Sequence, residues 1–323
     1  MGARGIEEAD LPSALSPTDP ATSVFLVSAS YEPRSLTVAA GLPTNCRFRL
    51  GLVYANAEFL EGPAAAATQG NLDRLQEYLG DRCDAVMPVV GSWLDPTKQL
   101  EVLRSLVTET ARQVTEVRAI NVWVDTTTFT RESLVVGCAL FRRHFTGGRF
   151  RLLYTAPEKH GEWLSRGYRG VRNMMGFPGC QVPGAPMILV VLSGFEPERT
   201  MRAIEEHEPS RVLLGIGNPP TTGAFLERNL REQELVLARQ DVERFEFPVD
   251  SVAECVRELT SVVGPELLRG NVVIAPMSTK LSTVAAMIVA ENHPSIQLTY
   301  CVPGEYNTES YSEGARFVFI EDL

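Results

Sequence analysis

The sequence predicts an α/β protein of two tandem units with mainly parallel sheets, and three observations carry that expectation. Apolar runs rich in Val, Ile and Leu recur with helical patterns between them, the alternation of βαβ units. Landmarks repeat in the same order in both halves, which marks an internal duplication. A chain of 323 residues with 44% hydrophobic and 8% aromatic residues is long and apolar enough for two packed cores. Each unit is therefore expected to be Rossmann-like.

Strands are predicted in the first half at Val24–Ser28, Arg49–Tyr54, Ala85–Val90, Ala119–Asp125 and Phe150–Thr155. In the second half they fall at Met187–Leu192, Arg211–Ile216, Arg244–Pro248, Asn271–Pro276 and Gln297–Val302, with a short last strand at Arg316–Ile320. The clearest helices between them are Thr97–Val114, Glu132–His144, Glu198–His207, Ser251–Val263 and Ser282–Glu291.

The duplication rests on three pairs of landmarks. SVFLVSASYEPRSL at Ser23–Leu36 matches MILVVLSGFEPERTM at Met187–Met201, each an apolar strand leading to an aromatic residue and Glu-Pro. A later strand ends in a hydroxyl-rich turn in both halves, VWVDTTTFTRESL at Val122–Leu134 and VIAPMSTKLSTVA at Val273–Ala285. The next strand ends in Tyr-x-x-Pro, RLLYTAPEKH at Arg151–His160 and QLTYCVPGEY at Gln297–Tyr306. These landmarks divide the chain into a flexible N-terminal arm (1–20), a first unit (21–160), a linker with one or two helical turns (161–186) and a second unit (187–323).

Composition narrows the function. A net charge of −10 counts against general binding to nucleic acid. No run of about 18 apolar residues offers a membrane span, and Met1–Pro20 lacks the pattern of a signal peptide, so a cytoplasmic location without membrane partners is expected. The six cysteines lie far apart with no metal-ligand spacing, and Cys138 and Cys255 fall in apolar helical patterns as small core residues. No metal and no cofactor is expected. The histidines are scattered, His144 and His293 sit near helix ends, and Lys98, Tyr154 and Tyr300 are at most wall residues of a site.

The most specific local signal is Pro276-Met277-Ser278-Thr279-Lys280, between a strand and a helix. Backbone N–H groups at the positive end of the helix dipole, the Ser278 and Thr279 hydroxyls and the Lys280 charge outline an anion site; the alternative is a plain helix cap. The matching turn, Asp125-Thr126-Thr127-Thr128, keeps the hydroxyls but places Asp125 where Pro276 stands and Phe129 where Lys280 stands. Its charge is thus reversed, and a pseudo-twofold axis would let the two turns face one another across a shared cleft, phosphate on one side and sugar hydroxyls or an amino base on the other.

Glu32 and Glu196 precede prolines at helix starts, a good helix-initiating arrangement. As residues at the carboxyl ends of first strands, they are equally candidates to meet a ligand. Arg34 and Arg199 stand nearby to pair with these carboxylates or with a phosphate. Gly215-Ile216-Gly217-Asn218-Pro219-Pro220 lacks the third glycine of a dinucleotide fingerprint and the aromatic residue of an amino-methyltransferase Asn-Pro-Pro, so it reads as a strand end turning into a loop.

A Rossmann-like unit whose late strand runs into a Ser278-Thr279-Lys280 turn at a helix start resembles the CARF family of prokaryotic ligand sensors, and two fused units resemble the related SAVED domains. The resemblance implies contacts from Ser278, Thr279 and Lys280 to the phosphates of a cyclic oligonucleotide, with Ser193 and Gly194 at the first strand's end. The chain departs from the family in carrying Met277-Ser278 where glycine usually precedes Thr-Lys, and in having no effector motif. By this resemblance the chain is expected to be a nucleotide-recognising sensor or regulatory subunit in prokaryotic antiviral defence, whose partners are a nucleotide-like small molecule, a separate effector and further copies of the chain. Two other classes stay open: an enzyme acting on a nucleotide or nucleotide sugar with Asp125 or Glu196 as base, and a structural subunit of a complex.

Overall fold

A computed structural model describes residues 4–7, 10–15, 20–114, 119–218 and 223–323. It is α/β, with two mainly parallel sheets in two compact units: residues 3–161 with 308–323, and 162–307.

In chain order the first unit holds β1 (Arg4–Glu7), α1 (Leu11–Ala14), β2 (Ser23–Ala29), α2 (Thr37–Ala40), β3 (Phe48–Asn56) and α3 (Ala65–Gly80). It continues with β4 (Cys83–Gly91), α4 (Pro96–Gln113), β5 (Asn121–Asp125), α5 (Arg131–His144), β6 (Phe150–Ala156) and β7 (Lys159–His160). The second unit holds β8 (Ser165–Pro178), β9 (Met187–Leu192), α6 (Pro197–His207), β10 (Arg211–Asn218), α7 (Gly223–Glu232) and α8 (Glu234–Leu237). Then come β11 (Val242–Pro248), α9 (Val252–Leu267), β12 (Asn271–Pro276), α10 (Lys280–Asn292) and β13 (Gln297–Tyr306), before β14 (Ser312–Glu313) and β15 (Phe317–Asp322) return to the first unit.

The two sheets have the same order. The first runs β1-β15-β6-β5-β2-β3-β4 and the second β8-β13-β12-β9-β10-β11, so β2 through β6 correspond one by one to β9 through β13. Their five central strands are parallel, and β15 on β6 and β8 on β13 are antiparallel. The direction in which successive strands are added to the sheet reverses between β2 and β5, and between β9 and β12; such switch points open a ligand crevice at the carboxyl edge of doubly wound sheets.

Local sequence explains these elements. Every residue of β2 is buried and β9 is buried beyond Met187, which is why both read as unbroken apolar runs rather than alternating ones. Asp95 caps α4 by accepting from the Thr97 and Lys98 N–H groups, with Pro96 at the first helical position; Ser251 caps α9 at Glu254 N. The first core centres on Phe25, Phe48 and Trp123, with 5.4 Å between successive ring centroids, and the second on Leu189, Val191, Leu214, Val273 and Ala275. Cys138 and Cys255 are buried, as expected of small core thiols.

Three boundaries differ from the sequence expectation. Within the supposed arm, β1 pairs with β15 and Leu11 and Leu15 are fully buried; its elements are too short to show a period. Residues 16–19 of that arm lie outside the described residues. The supposed linker contains the 14-residue strand β8, hidden in the sequence by Gly167, Gly170 and Gly176, all at positive φ. The last strand belongs to the first unit, so the second ends at Asn307 rather than Leu323. Among the described residues no helix is long and apolar enough to cross a membrane.

Candidate functional site

Strand β12 ends at Pro276, hydrogen-bonded beside Leu192 of β9 through Met277 N–H to Leu192 O (2.9 Å). Three residues after Pro276, Thr279 lies outside the helical range (φ −72°, ψ 168°) and caps α10, its Oγ1 accepting from Ser282 N (3.3 Å) and donating to Val249 O (2.9 Å). Ser282 Oγ returns a bond to Thr279 O (2.9 Å). The Thr279 hydroxyl is therefore a helix cap. Lys280 occupies the first helical position, half-buried, and Ser278 is buried just before it.

The first unit places its N-cap threonine and the cation behind it two residues further along the chain than the sequence suggests. Thr130 is the N-cap residue of α5 (φ −66°, ψ 152°) but, unlike Thr279, accepts no helix N–H through its side chain; its Oγ1 lies 2.6 Å from Ser133 Oγ, and Ser133 Oγ donates to Thr130 O (3.0 Å). Thr130-Arg131-Glu132-Ser133 thus matches Thr279-Lys280-Leu281-Ser282, and the counterpart of Lys280 is Arg131, not Phe129. A cation thus takes the first helical position in both turns, while Asp125 and Glu132 add carboxylates that the second turn lacks. Four residues separate β5 from its cap where two separate β12 from its own, and Phe129, in the longer turn, is buried against Tyr54 with ring centroids 5.7 Å apart.

Asp125 ends β5 fully buried. Its Oδ1 accepts from Thr127 N–H (3.1 Å) and from Thr127 Oγ1 (2.5 Å), and Thr127 Oγ1 in turn accepts from Thr155 N–H (2.9 Å). Asp125 Oδ2 and Thr155 Oγ1 are both buried without a hydrogen-bond partner. Burial pushes the Asp125 carboxyl up to about 7, against the opposing effects of the Thr127 bonds and the Arg34 charge. Thr128 Oγ1 donates to Ser28 O (2.5 Å) and ties the ends of β5 and β2 together.

Glu32 and Glu196 are engaged inside their own units. Arg34 Nη2 lies 2.5 Å from Glu32 Oε2, Ser312 Oγ accepts from Arg34 Nε (2.8 Å) and donates to Glu32 Oε2 (2.7 Å), and Arg34 Nη1 donates to Thr155 O (2.6 Å). In the second unit Arg199 Nη1 lies 3.7 Å from Glu196 Oε1. Ser165 Oγ accepts from Arg199 Nη1 (3.0 Å) and donates to Glu196 Oε1 (2.9 Å), and Arg199 Nη2 donates to Cys301 O (2.5 Å). Thr155 and Cys301 each follow the tyrosine of Tyr-x-x-Pro. Both glutamates therefore serve the fold through a buried Glu–Arg–Ser cluster. The serines lie in Leu164-Ser165-Arg166-Gly167 and Tyr311-Ser312-Glu313-Gly314, with φ +67° at both glycines; a comparison of these short x-Ser-x-Gly stretches is the signal that finds them in the sequence.

At the end of β9, Ser193 Oγ donates to Gly215 O (2.7 Å), and Gln233 Nε2 donates to Gly194 O (2.9 Å). A Cβ on Gly194 would lie 2.4 Å from Met277 O, so the close approach of the two turns at the switch point requires glycine there. Gly215 and Gly217 make room in the same way for Phe247 and Val249; Pro219, Pro220 and Thr221 lie outside the described residues.

Ser193, Gly194, Ser278, Thr279 and Lys280 thus meet at the carboxyl edge of the second sheet, and Asp125, Thr127 and Thr128 at that of the first. No protein-family model and no curated protein sequence matches the chain. Among the described residues no group of three or more His, Cys, Asp or Glu is placed to hold a metal ion.

Proposed function

We propose that the protein recognises a nucleotide through its phosphates at the Thr279-Lys280 turn and acts as a sensor or regulatory subunit. One observation carries this reading: in both units a cation takes the first helical position directly behind an N-cap threonine, at the carboxyl edge beside the sheet's switch point. A helix start offers more N–H groups than one cap satisfies, and α10, of 13 residues, is long enough to present a full dipole there. Two sheets of equal strand order support the likeness to fused CARF-type modules, and on that likeness the ligand is a cyclic oligonucleotide, the setting cytoplasmic antiviral defence and the output a separate effector. Titration calorimetry with pyrophosphate, mononucleotides and cyclic oligonucleotides tests it. Binding by the wild type that falls at least tenfold in Lys280→Ala supports the site, and equal binding by both rejects it.

A second reading, hydrolysis or transfer on a nucleotide or nucleotide sugar, is favoured by Asp125, whose carboxyl titrates near neutral pH as a general base should. Glu196 is engaged by Arg199 and Ser165, so this reading gives the role to Asp125. Turnover of any of these compounds, abolished in Asp125→Asn, would select this reading.

A further inference from the structure

The chain passes between its units twice, after Gly161 and after Asn307. At each passage the strand that leaves one unit is followed by the sixth strand of the other: β8 follows β6 and β7 yet pairs with β13, and β15 follows β13 yet pairs with β6. The sixth strands are exchanged. An x-Ser-x-Gly turn stands at the start of each incoming segment, and its serine enters the Glu–Arg pair of the receiving unit.

Each arginine holds both ends of the traffic through its unit. Arg34 donates to Thr155 O on outgoing β6 and to Ser312 on the incoming segment; Arg199 donates to Cys301 O on outgoing β13 and to Ser165 on the incoming segment. Backbone bonds repeat the tie. Gly161 N–H donates to Tyr311 O (2.9 Å) and Glu158 N–H to Glu313 O (3.1 Å) in the first unit, and Asn307 N–H donates to Leu164 O (2.9 Å) in the second. Arg34 lies in the 3-10 turn Pro33–Leu36 after β2, and Arg199 in the first turn of α6 after β9, the helical starts that follow the carboxyl ends of these two strands.

We propose that the two Glu–Arg–Ser clusters are clasps that fix the chain passages, and that a ligand at the carboxyl edge of the second sheet tightens the clasp beside it; the latter clause rests on the phosphate-binding reading. The serine hydroxyl bridges glutamate to arginine, so its loss loosens the incoming segment, still held by its backbone bonds, while leaving the ion pair and the outgoing strand in place.

Hydrogen exchange read by mass spectrometry on the full chain tests both clauses, with Ser165→Ala and Ser312→Ala as variants that remove one oxygen each. In Ser165→Ala, exchange rises about five- to tenfold over 162–170 and stays at the wild-type rate over 308–316, the factor expected for loss of a bridging hydroxyl. Ser312→Ala gives the mirror image. Wild-type exchange at both passages in both variants overturns the clasps, as does equal loosening of both passages by either variant. Pyrophosphate, at a concentration that raises the melting temperature, is expected to slow exchange over 162–170 in the wild type but not in Ser165→Ala. A raised melting temperature with unchanged exchange there overturns the coupling and leaves the phosphate site standing. Failure of pyrophosphate to raise the melting temperature or to bind overturns the phosphate site and the coupling with it, while the serine variants still decide the clasps.

Discussion

Arg131 holds in α5 the position that Lys280 holds in α10, each directly after its N-cap threonine. The equivalence is geometric, but the two cations differ in surroundings: Arg131 is 6% exposed and Lys280 half-buried. Arg131→Ala is accordingly expected to lower the melting temperature by several degrees through lost packing of a buried stem. Lys280→Ala should shift it by no more than about one degree, within the usual range of surface changes. Differential scanning calorimetry of the two variants separates structural from ligand-facing roles.

Asp125 gives a pH dependence of defined sign. Its folded-state value of about 7 lies above the ordinary 3.8, so the native state holds the proton more tightly than the unfolded chain. Stability from this group is greatest below the unfolded value and declines as pH rises toward about 7, where the charged carboxylate is buried with Oδ2 unpartnered. Asp125→Asn keeps an acceptor for Thr127 and removes the ionisation. The variant should gain on the order of 2–4 kcal/mol relative to wild type between pH 4 and pH 8 in urea titrations. A difference that does not change with pH contradicts the assignment.

The Glu196–Arg199 pair is expected to matter more by its breakage than by its presence. Glu196→Ala leaves a guanidinium that is 1% exposed without its carboxylate, which costs about 3–5 kcal/mol. Replacing both residues by apolar ones of similar volume should cost less than the single change. A double-mutant cycle from chemical denaturation measures the coupling.

Gly194→Ala brings a methyl group to 2.4 Å from Met277 O, which the backbone must relieve by moving the β9 and β12 turns apart. A loss of about 1–3 kcal/mol is expected, the range for overpacking, and it should be accompanied by weaker pyrophosphate binding because the displaced turn carries Lys280. Wild-type stability in this variant would show that the turns do not pack so closely.

Much of the fold was legible because parallel strands buried on both faces leave apolar runs that survive any local ambiguity: Met187–Leu192 and Asn271–Pro276 coincide with the observed strands. Strand β8 was not legible, since arginines and positive-φ glycines on an antiparallel edge resemble a loop in composition. The partner of β15 was hidden for a different reason, because no local pattern records that a strand pairs in the other half of the chain. At the candidate site, the hydroxyl-rich turns were visible, yet two additional residues before Thr130 displaced the match and concealed Arg131. The roles of Glu32 and Glu196 depended on Ser312 and Ser165, distant in sequence, which no reading of the Glu-Pro stretch alone supplies.

The exchanged sixth strands have a temporal consequence. The second unit is one continuous stretch, 162–307, and can close as soon as Tyr306 is available, whereas the first must wait for Phe317–Asp322. At about 5–20 residues per second, the edge of β6 stays open on the ribosome for roughly 10–30 s after β6 itself is made. The half synthesised first is therefore the half finished last, and β1 can take its place only when the final strand has arrived.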